Sequence, residues 1–353
     1  MRPIVLLLGV SGLTRIILVY LRKIILYFTR HSDQLRKLDH YHFGGVISTS
    51  PLDIRENKVV NFLKTRGIGS MAMIISWDNL TSKGVINADH DYILVWNQFM
   101  ADEYERFYSI FRPQKSKVCI TGIPRFDIYF RNQCQRSTSD FRLKFKIEPL
   151  DKVILFATSA SKHFPNQILI VNDLIEYTRR RANVKVIVRC HPADRFEHYR
   201  PFHFEKSIIV WQPENLRCST PDIFSRWIPR IDFLETLSSM IKISDVCVQV
   251  ASTIRLDAAA CDKPVISIAY DGPRLLPYSQ SVKRLYDYSH QVPLNRLKMD
   301  QMVYNKSQLF ASLDKTLNGN CHTDYKSLAR PFIHYSEPKS VDSVIQNVQA
   351  WLG

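Results

Sequence analysis

Five short polar clusters, each placed directly after an apolar run, hold most of the groups in this sequence that could do chemistry. In VILFATSASK, Thr158, Ser159 and Lys162 set two hydroxyls and an ammonium group behind a strand-like run. In VIVRCHP, Arg189 and His191 end the next run, and in DVCVQVASTIRLD, Ser252, Thr253 and Asp257 follow a third. PVISIAYDG puts Tyr270, Asp271 and Gly272 after a fourth. Hydroxyls and free N–H groups where a helix begins favour a phosphate. A carboxylate one helical turn further in can accept hydrogen bonds from ribose hydroxyls. The ordinary reading of Ser252 is a helix N-cap, and of a single histidine after a strand a structural one. The fifth cluster, SWDNLTSKG, carries Trp77, Asp78, Asn79 and Lys83. There Asp78 either takes the proton of an attacking hydroxyl or closes the loop as an Asx turn.

Chemistry at strand ends requires strands that all point one way. In open α/β sheets ligands bind outside the carboxyl ends of the strands. The sequence supplies that alternation twice. FGGVISTS, SMAMIISW, HDYILVW and KVCITG read as strands, with helices over PLDIRENKVVNFLKTRG and NQFMADEYERFYSIF. After a polar stretch the alternation restarts at KVILFATS and runs to PVISIAY. Strands separated by helices imply parallel pairing through crossovers. The expected fold is therefore α/β, with two Rossmann-like doubly wound domains facing a cleft. The expected divisions are an N-terminal acceptor-binding domain over 1–130, a linker over 131–150, a nucleotide-donor domain over 151–330 and an amphipathic C-terminal helix over 331–353.

The composition fits this architecture and narrows the function. With 353 residues, 45% of them hydrophobic, two domains with sizeable cores are expected. Lys and Arg outnumber Asp and Glu by 48 to 33, so the surface attracts anions. No zinc-finger spacing, RNA-binding aromatic signature or long basic tail is present, and nucleic acid is not expected as a partner. The seven cysteines are spread without a Cys-x-x-Cys pair, which reads as reduced cytoplasmic thiols. The apolar, basic opening MRPIVLLLGVSGLTRIILVYLRKIILYFTR is interrupted by Arg15, Arg22 and Lys23, so it does not read as a spanning helix. It either completes the first domain or lies as an amphipathic segment on an anionic membrane surface.

The ordered set ILFATSASK, VIVRCHP and SDVCVQVASTIRLDAAACDKPVISIAYD resembles the nucleotide-binding half of the GT-B glycosyltransferases. It is most similar to the branch containing CDP-glycerol glycerophosphotransferases and related capsule and teichoic-acid enzymes. ITGIPRFD, with Arg125 and Asp127, is similar to that branch's Gly-x-Pro-Arg-x-Asp segment, and the resemblance covers roughly Phe43 to the C-terminus. It implies that Thr158, Ser159, Lys162, Arg189, His191, Ser252, Thr253 and Asp257 bind the donor. Trp77, Asn79, Lys83, Arg125 and Asp127 would then lie on the acceptor side. Where the branch has Trp-His-Gly, with the histidine as proposed base, this sequence has Trp77, Asp78 and Asn79.

The expected activity is a transferase moving a glycosyl or alditol-phosphate group from a nucleotide-activated donor to a surface-polysaccharide or lipid-linked acceptor. No Asp-x-Asp follows a strand, so neither a bound metal nor a separate cofactor is expected. The alternatives are a nucleotide-sugar 2-epimerase on the same fold, which would need acid and base groups on both faces of the sugar, and a non-catalytic polysaccharide- or nucleotide-binding relative. The expected location is cytoplasmic, either free or peripheral on the inner face of the membrane.

Overall fold

The computed structural model describes residues 13–108, 116–131, 135–192, 194, 196–212, 229–273, 275–319 and 323–353. The apolar run expected before residue 13, the end of the helix expected past Tyr108, and Cys134, Cys218 and Cys321 lie outside them. The chain forms two units, Met1–Pro124 with Lys339–Gly353, and Arg125–Pro338.

Among the described residues of the first unit, helix α1, Leu13–Arg30, comes first. Its sheet contains β1 Val46–Ser48, β2 Ser70–Met73, β3 Tyr92–Val95 and β4 Lys117–Ile120, all parallel and in that spatial order. Helix α2, Ile54–Lys64, joins β1 to β2. It starts where the Asp53 side chain accepts the Arg55 N–H at 2.7 Å, and the chain turns out of it at Gly67, whose φ of +79° suits glycine. Helix α3, Gln98–Tyr108, joins β3 to β4. Strand β2 ends at Met73, four residues before the Trp77 at which the sequence pattern stops, because the chain folds into a tight turn over residues 76–82.

The C-terminal helix Ser340–Leu352 belongs to this first unit. Its Trp351 ring lies 6.1 Å from the Tyr92 ring and covers Gly45 and Gly69, where β1 and β2 begin. A Cβ at Gly45 would overlap the indole. Glycine is thus required there by close approach.

The second unit begins with the short helix α4, Asp127–Phe130, and with α5, Gln135–Lys144. The expected linker, 131–150, therefore carries a helix, and α5 packs on the later helix Phe233–Ile243. Its polar surface made it read as a connector. The sheet contains β5 Lys152–Ala157, β6 Val184–Arg189, β7 Ile208–Trp211, β8 Val246–Gln249, β9 Val265–Ile268 and β10 Gln301–Val303. All pairs are parallel and the order is β10-β9-β8-β5-β6-β7. This is the doubly wound dinucleotide-fold order, whose direction reverses between β5 and β8.

Helices α6 Gln167–Thr178, α7 Phe233–Ile243, α8 Ile254–Ala260 and, after two short turns of helix, Lys306–Leu317 and Tyr325–Ile333 flank this sheet. One face holds a continuous apolar core with Ile154, Phe156, Val186, Val188, Val248 and Ile268. The other carries the intervening residues, and there the register aligns Ser267, Gln249, Ala157, Arg189 and Trp211 in a single row across five strands. A glutamine and an arginine at the ends of otherwise apolar strands thus share one face and one edge.

Gly45→Val should destabilise the first unit by about 1–3 kcal/mol, read as a lower thermal midpoint. Combining it with Trp351→Ala should cost less than the sum of the two single changes by about 0.5 kcal/mol or more. Strict additivity would separate the two residues.

Candidate functional site

The sequence-predicted donor residues of the second unit stand at the carboxyl ends of β5, β6 and β8, on either side of the switch point. What fixes them there is three hydrogen-bonded assemblies that the sequence reading did not assign.

The first is centred on the buried carboxylate of Asp194. It accepts hydrogen bonds from Thr158 Oγ1 at 2.9 Å, Ser161 Oγ at 2.8 Å, Gln167 Nε2 at 2.9 Å and Tyr199 OH at 2.6 Å. Four donors match the capacity of an ionised carboxylate. The hub ties the loop after β5 to the loop after β6, where the His191 N–H donates to Thr158 Oγ1 at 2.8 Å. Ser159 is held by Gln167, which accepts its N–H at 2.8 Å, while Lys162 is exposed. The Thr158 hydroxyl is therefore engaged in positioning His191. Asp194 falls three residues after His191, a spacing that could have drawn attention to it.

The second assembly surrounds the turn from β8 into α8. Ala251 has φ +40°, a strained value for a residue with a side chain. Its N–H donates to Tyr286 OH at 3.0 Å and its carbonyl accepts from Gln291 Nε2 at 3.0 Å. Ser252 N–H donates to Gln249 Oε1 at 2.6 Å. Behind them Arg255, fully buried, pairs with Asp300 at 3.1 Å and donates to Asn295 and Gln291. Asp300 also accepts from Ser267, which accepts from Gln249. Thr253 is the N-cap residue of α8, with no side-chain capping bond.

The third contains Asp257. Its carboxylate, almost fully buried, accepts from Arg125 Nη1 at 2.7 Å and Nη2 at 3.3 Å and from Tyr129 OH at 2.5 Å. Expected to receive ribose hydroxyls, Asp257 is turned instead onto Arg125 and Tyr129. Arg125, expected on the acceptor side, is bonded within the second unit, and Asp127, two residues later, is buried. Desolvation and the neighbouring Asp257 charge push the Tyr129 phenol well above its ordinary value, so it stays a donor.

Arg189 is the cation left over. It is buried at the end of β6, 6.0 Å from the Trp211 ring and 5.8 Å from the Phe233 ring, and its Nε–H has no hydrogen-bond partner. It forms no ion pair among the described residues. Burial pulls its pKa below the usual arginine value, against the attraction of Asp257. A buried guanidinium with an open N–H is equipped to receive an anion. His191, half-buried, is pushed down to about 4 by burial and by the Arg189 charge. It is therefore neutral near pH 7.

In the first unit Trp77 is buried, and Asp78 lies in the turn after β2. Its carboxylate accepts from Ser76 Oγ at 2.6 Å and faces Lys83 Nζ at 3.3 Å, while Asn79 Oδ1 accepts the Ser76 N–H at 2.9 Å. The residues 76–83 form one closed turn. Among the described residues no group of three His, Cys, Asp or Glu side chains is arranged to hold a metal ion.

The family model described as CDP-glycerol:poly(glycerophosphate) glycerophosphotransferase matches residues 76–350. The teichoic acid glycerol-phosphate primase of Bacillus spizizenii is 22% identical over 209 residues, which are 59% of this chain and 47% of the primase. The chain thus spans about half the length of that curated relative. Among solved structures, UDP-GlcNAc 2-epimerase from Neisseria meningitidis bound to UDP-GlcNAc has a TM-score of 0.58 at 12% identity, covering 94% of this chain and 82% of its own. A structure of the wall teichoic acid polymerase TagF soaked with CDPG has a TM-score of 0.52 at 13% identity, covering 86% and 70%. These two likenesses establish the GT-B-type fold.

The His191 environment sets a pH dependence. Its folded pKa, about 4, lies below the ordinary 6.5, so between those values the unfolded chain binds more protons. Stability present above pH 6.5 should be lost as pH falls toward 4, on the order of 1–3 kcal/mol. Urea midpoints measured across that window should fall less steeply in His191→Gln. An identical slope would place the acid sensitivity elsewhere.

Proposed function

The chain belongs to the CDP-glycerol:poly(glycerophosphate) glycerophosphotransferase family, and from that membership we propose that it transfers an alditol phosphate or glycosyl group from a nucleotide-activated donor to a cell-envelope polymer or lipid-linked acceptor. The observation that carries this reading is that the family match, 76–350, takes in both the Asp78 turn and every strand-end cluster of the second unit. CDP-glycerol is the first donor to test, and the work would take place at the inner face of the membrane.

In the proposed reaction the acceptor hydroxyl oxygen forms a bond to the phosphorus of the transferred group. The bond from that phosphorus to the nucleotide's phosphate oxygen breaks, and its electron pair leaves with the nucleotide. Asp78 takes the hydroxyl proton. Lys83 and Ser76 hold its carboxylate in one orientation, which suits a base as well as a turn. Arg189 receives the donor's diphosphate charge, and His191, neutral, donates a ring N–H to it. Ser252 and Thr253 offer hydroxyls on the other side of the switch point. Arg125, oriented by Asp257, adds a second cation. The reading takes the transfer to need no metal ion.

Incubation with CDP-, UDP- and GDP-linked donors should release nucleotide from one of them. Interconversion of a UDP-sugar with its 2-epimer, without release, would favour the isomerase alternative. Asp78→Asn keeps the size and the Ser76 bond but removes the proton acceptor, so turnover should fall by about 10²–10⁴ with the melting temperature little changed. Near wild-type turnover would leave Asp78 with the turn alone. Arg189→Met should lower kcat/KM by about 10- to 100-fold while holding or raising the melting temperature, because it removes a buried cation without an ion-pair partner. A lower melting temperature with unchanged kcat/KM would make Arg189 a structural residue.

A further inference from the structure

Helix α1 has two unlike faces. Thr29 is buried and Val19 and Leu26 are half-buried on the side that packs against α2. The opposite side carries Ile16, Tyr20, Ile24, Tyr27 and Phe28, exposed by 56%, 62%, 51%, 63% and 68%. At 100° per residue these five fall within roughly 120° of arc, one continuous apolar stripe. No helix among the described residues is long and apolar enough to cross a membrane. The stripe is therefore suited to lie along a surface.

Cations border it. Lys23 Nζ sits 5.6 Å from the Tyr20 ring centroid at the edge of the stripe. At the C-terminal end of α1 a pocket of about 360 Å³ is lined by Arg30, His31, Arg36, Thr65 and Arg66. The nearby acids are already engaged: Asp39 with Arg66 at 2.9 Å and Asp33 with Arg36 at 3.3 Å. Arg30 forms no ion pair among the described residues. Across residues 13–42, six Lys and Arg stand against two Asp. The carbonyl end of a helix also favours the cations gathered there.

We propose that α1 is a membrane-docking helix, with its apolar stripe set into the interface of an anionic bilayer and the Arg30, His31, Arg36 and Arg66 pocket receiving a lipid headgroup phosphate. An apolar stripe with tyrosines at its margin and lysine and arginine beside it is the pattern of an interfacial helix. A second copy of the chain fits poorly, since pairing this face with itself brings like charges together. The reading is independent of the transferase proposal, because vesicle binding is measured with no donor or acceptor present.

The test is flotation of the full chain with vesicles of phosphatidylcholine alone and of phosphatidylcholine mixed with phosphatidylglycerol. Binding should favour the anionic vesicles and weaken as salt rises from about 0.1 to about 1 M. Ile24→Asp with Phe28→Asp, both on the exposed stripe, should reduce binding at least about tenfold with an unchanged melting curve. Arg30→Ala should lose about fivefold on anionic vesicles only. Equal binding to both vesicle types, or full binding by the double-Asp variant, would overturn the proposal. So would a concentration-dependent dimer, seen by light scattering and abolished by the double-Asp change, in a chain that does not float.

Discussion

The second unit depends most on one buried ion pair, Arg255 with Asp300. Both side chains are withdrawn from water, at 0% and 3% exposure. Such a pair is tolerable only if its remaining donors and acceptors are also met. A ring of hydrogen bonds engages both members of the pair: Arg255 donates to Gln291 through one of its Nη groups, Gln291 donates to the Ala251 carbonyl, and Asp300 accepts from Ser267, which holds Gln249. Gln249 then accepts the Ser252 N–H. Every bond in the ring converges on the turn from β8 into α8. The strained φ of Ala251 persists because its N–H and carbonyl are fixed from two different elements. The ring thus fixes the backbone of the turn that carries Ser252 and Thr253.

The same logic governs the other side of that point. A parallel sheet buried on both faces has few places for polar side chains. Here they collect in the last row, where Ser267, Gln249 and Arg189 stand in register across β9, β8 and β6. One row earlier and on the opposite face the positions are Phe156, Val188 and Val248, all in the apolar core. The Asp194 hub finishes the arrangement by joining the loops after β5 and β6. Polar groups at the site are thus placed by other polar groups, and the sheet contributes direction and register.

This division explains what the sequence made legible. The apolar runs identify β5, β6, β8 and β9 because most of their residues are apolar, many of them β-branched, and the order of strands and helices implies parallel pairing. The residue types after each run identify the sheet edge where ligands would bind. Partners are a different matter. Asp257 and Arg125 are 132 residues apart, and no spacing rule links them. Tyr199 and Gln167 look like ordinary surface-helix residues until Asp194 unites them. The short β10, Gln301–Val303, escaped notice because three residues carry too little periodicity. α5 escaped because its sequence, QRSTSDFRLK, is polar nearly all round and is stabilised by packing on α7.

The charge count at the edge of the second unit bears on what it can receive. Two arginines, Arg125 and Arg189, are near one buried carboxylate, Asp257, and that carboxylate gives both oxygens to Arg125 and one of them also to Tyr129. Asp257 attracts Arg189 electrostatically but makes no hydrogen bond to it, so among the described residues this buried positive charge has no direct counter-charge. Burying a cation costs several kcal/mol unless a counter-charge arrives. If the ligand were a neutral sugar or a base, that cost would bring no return, and a methionine or leucine in the row between Ala157 and Trp211 would serve the sheet better. An anionic ligand reverses the balance, because the desolvated guanidinium then forms charge-assisted bonds in a site that water screens poorly. A buried guanidinium so placed therefore favours a negatively charged ligand over a neutral one, which supports the proposal that this edge receives the diphosphate of an activated donor.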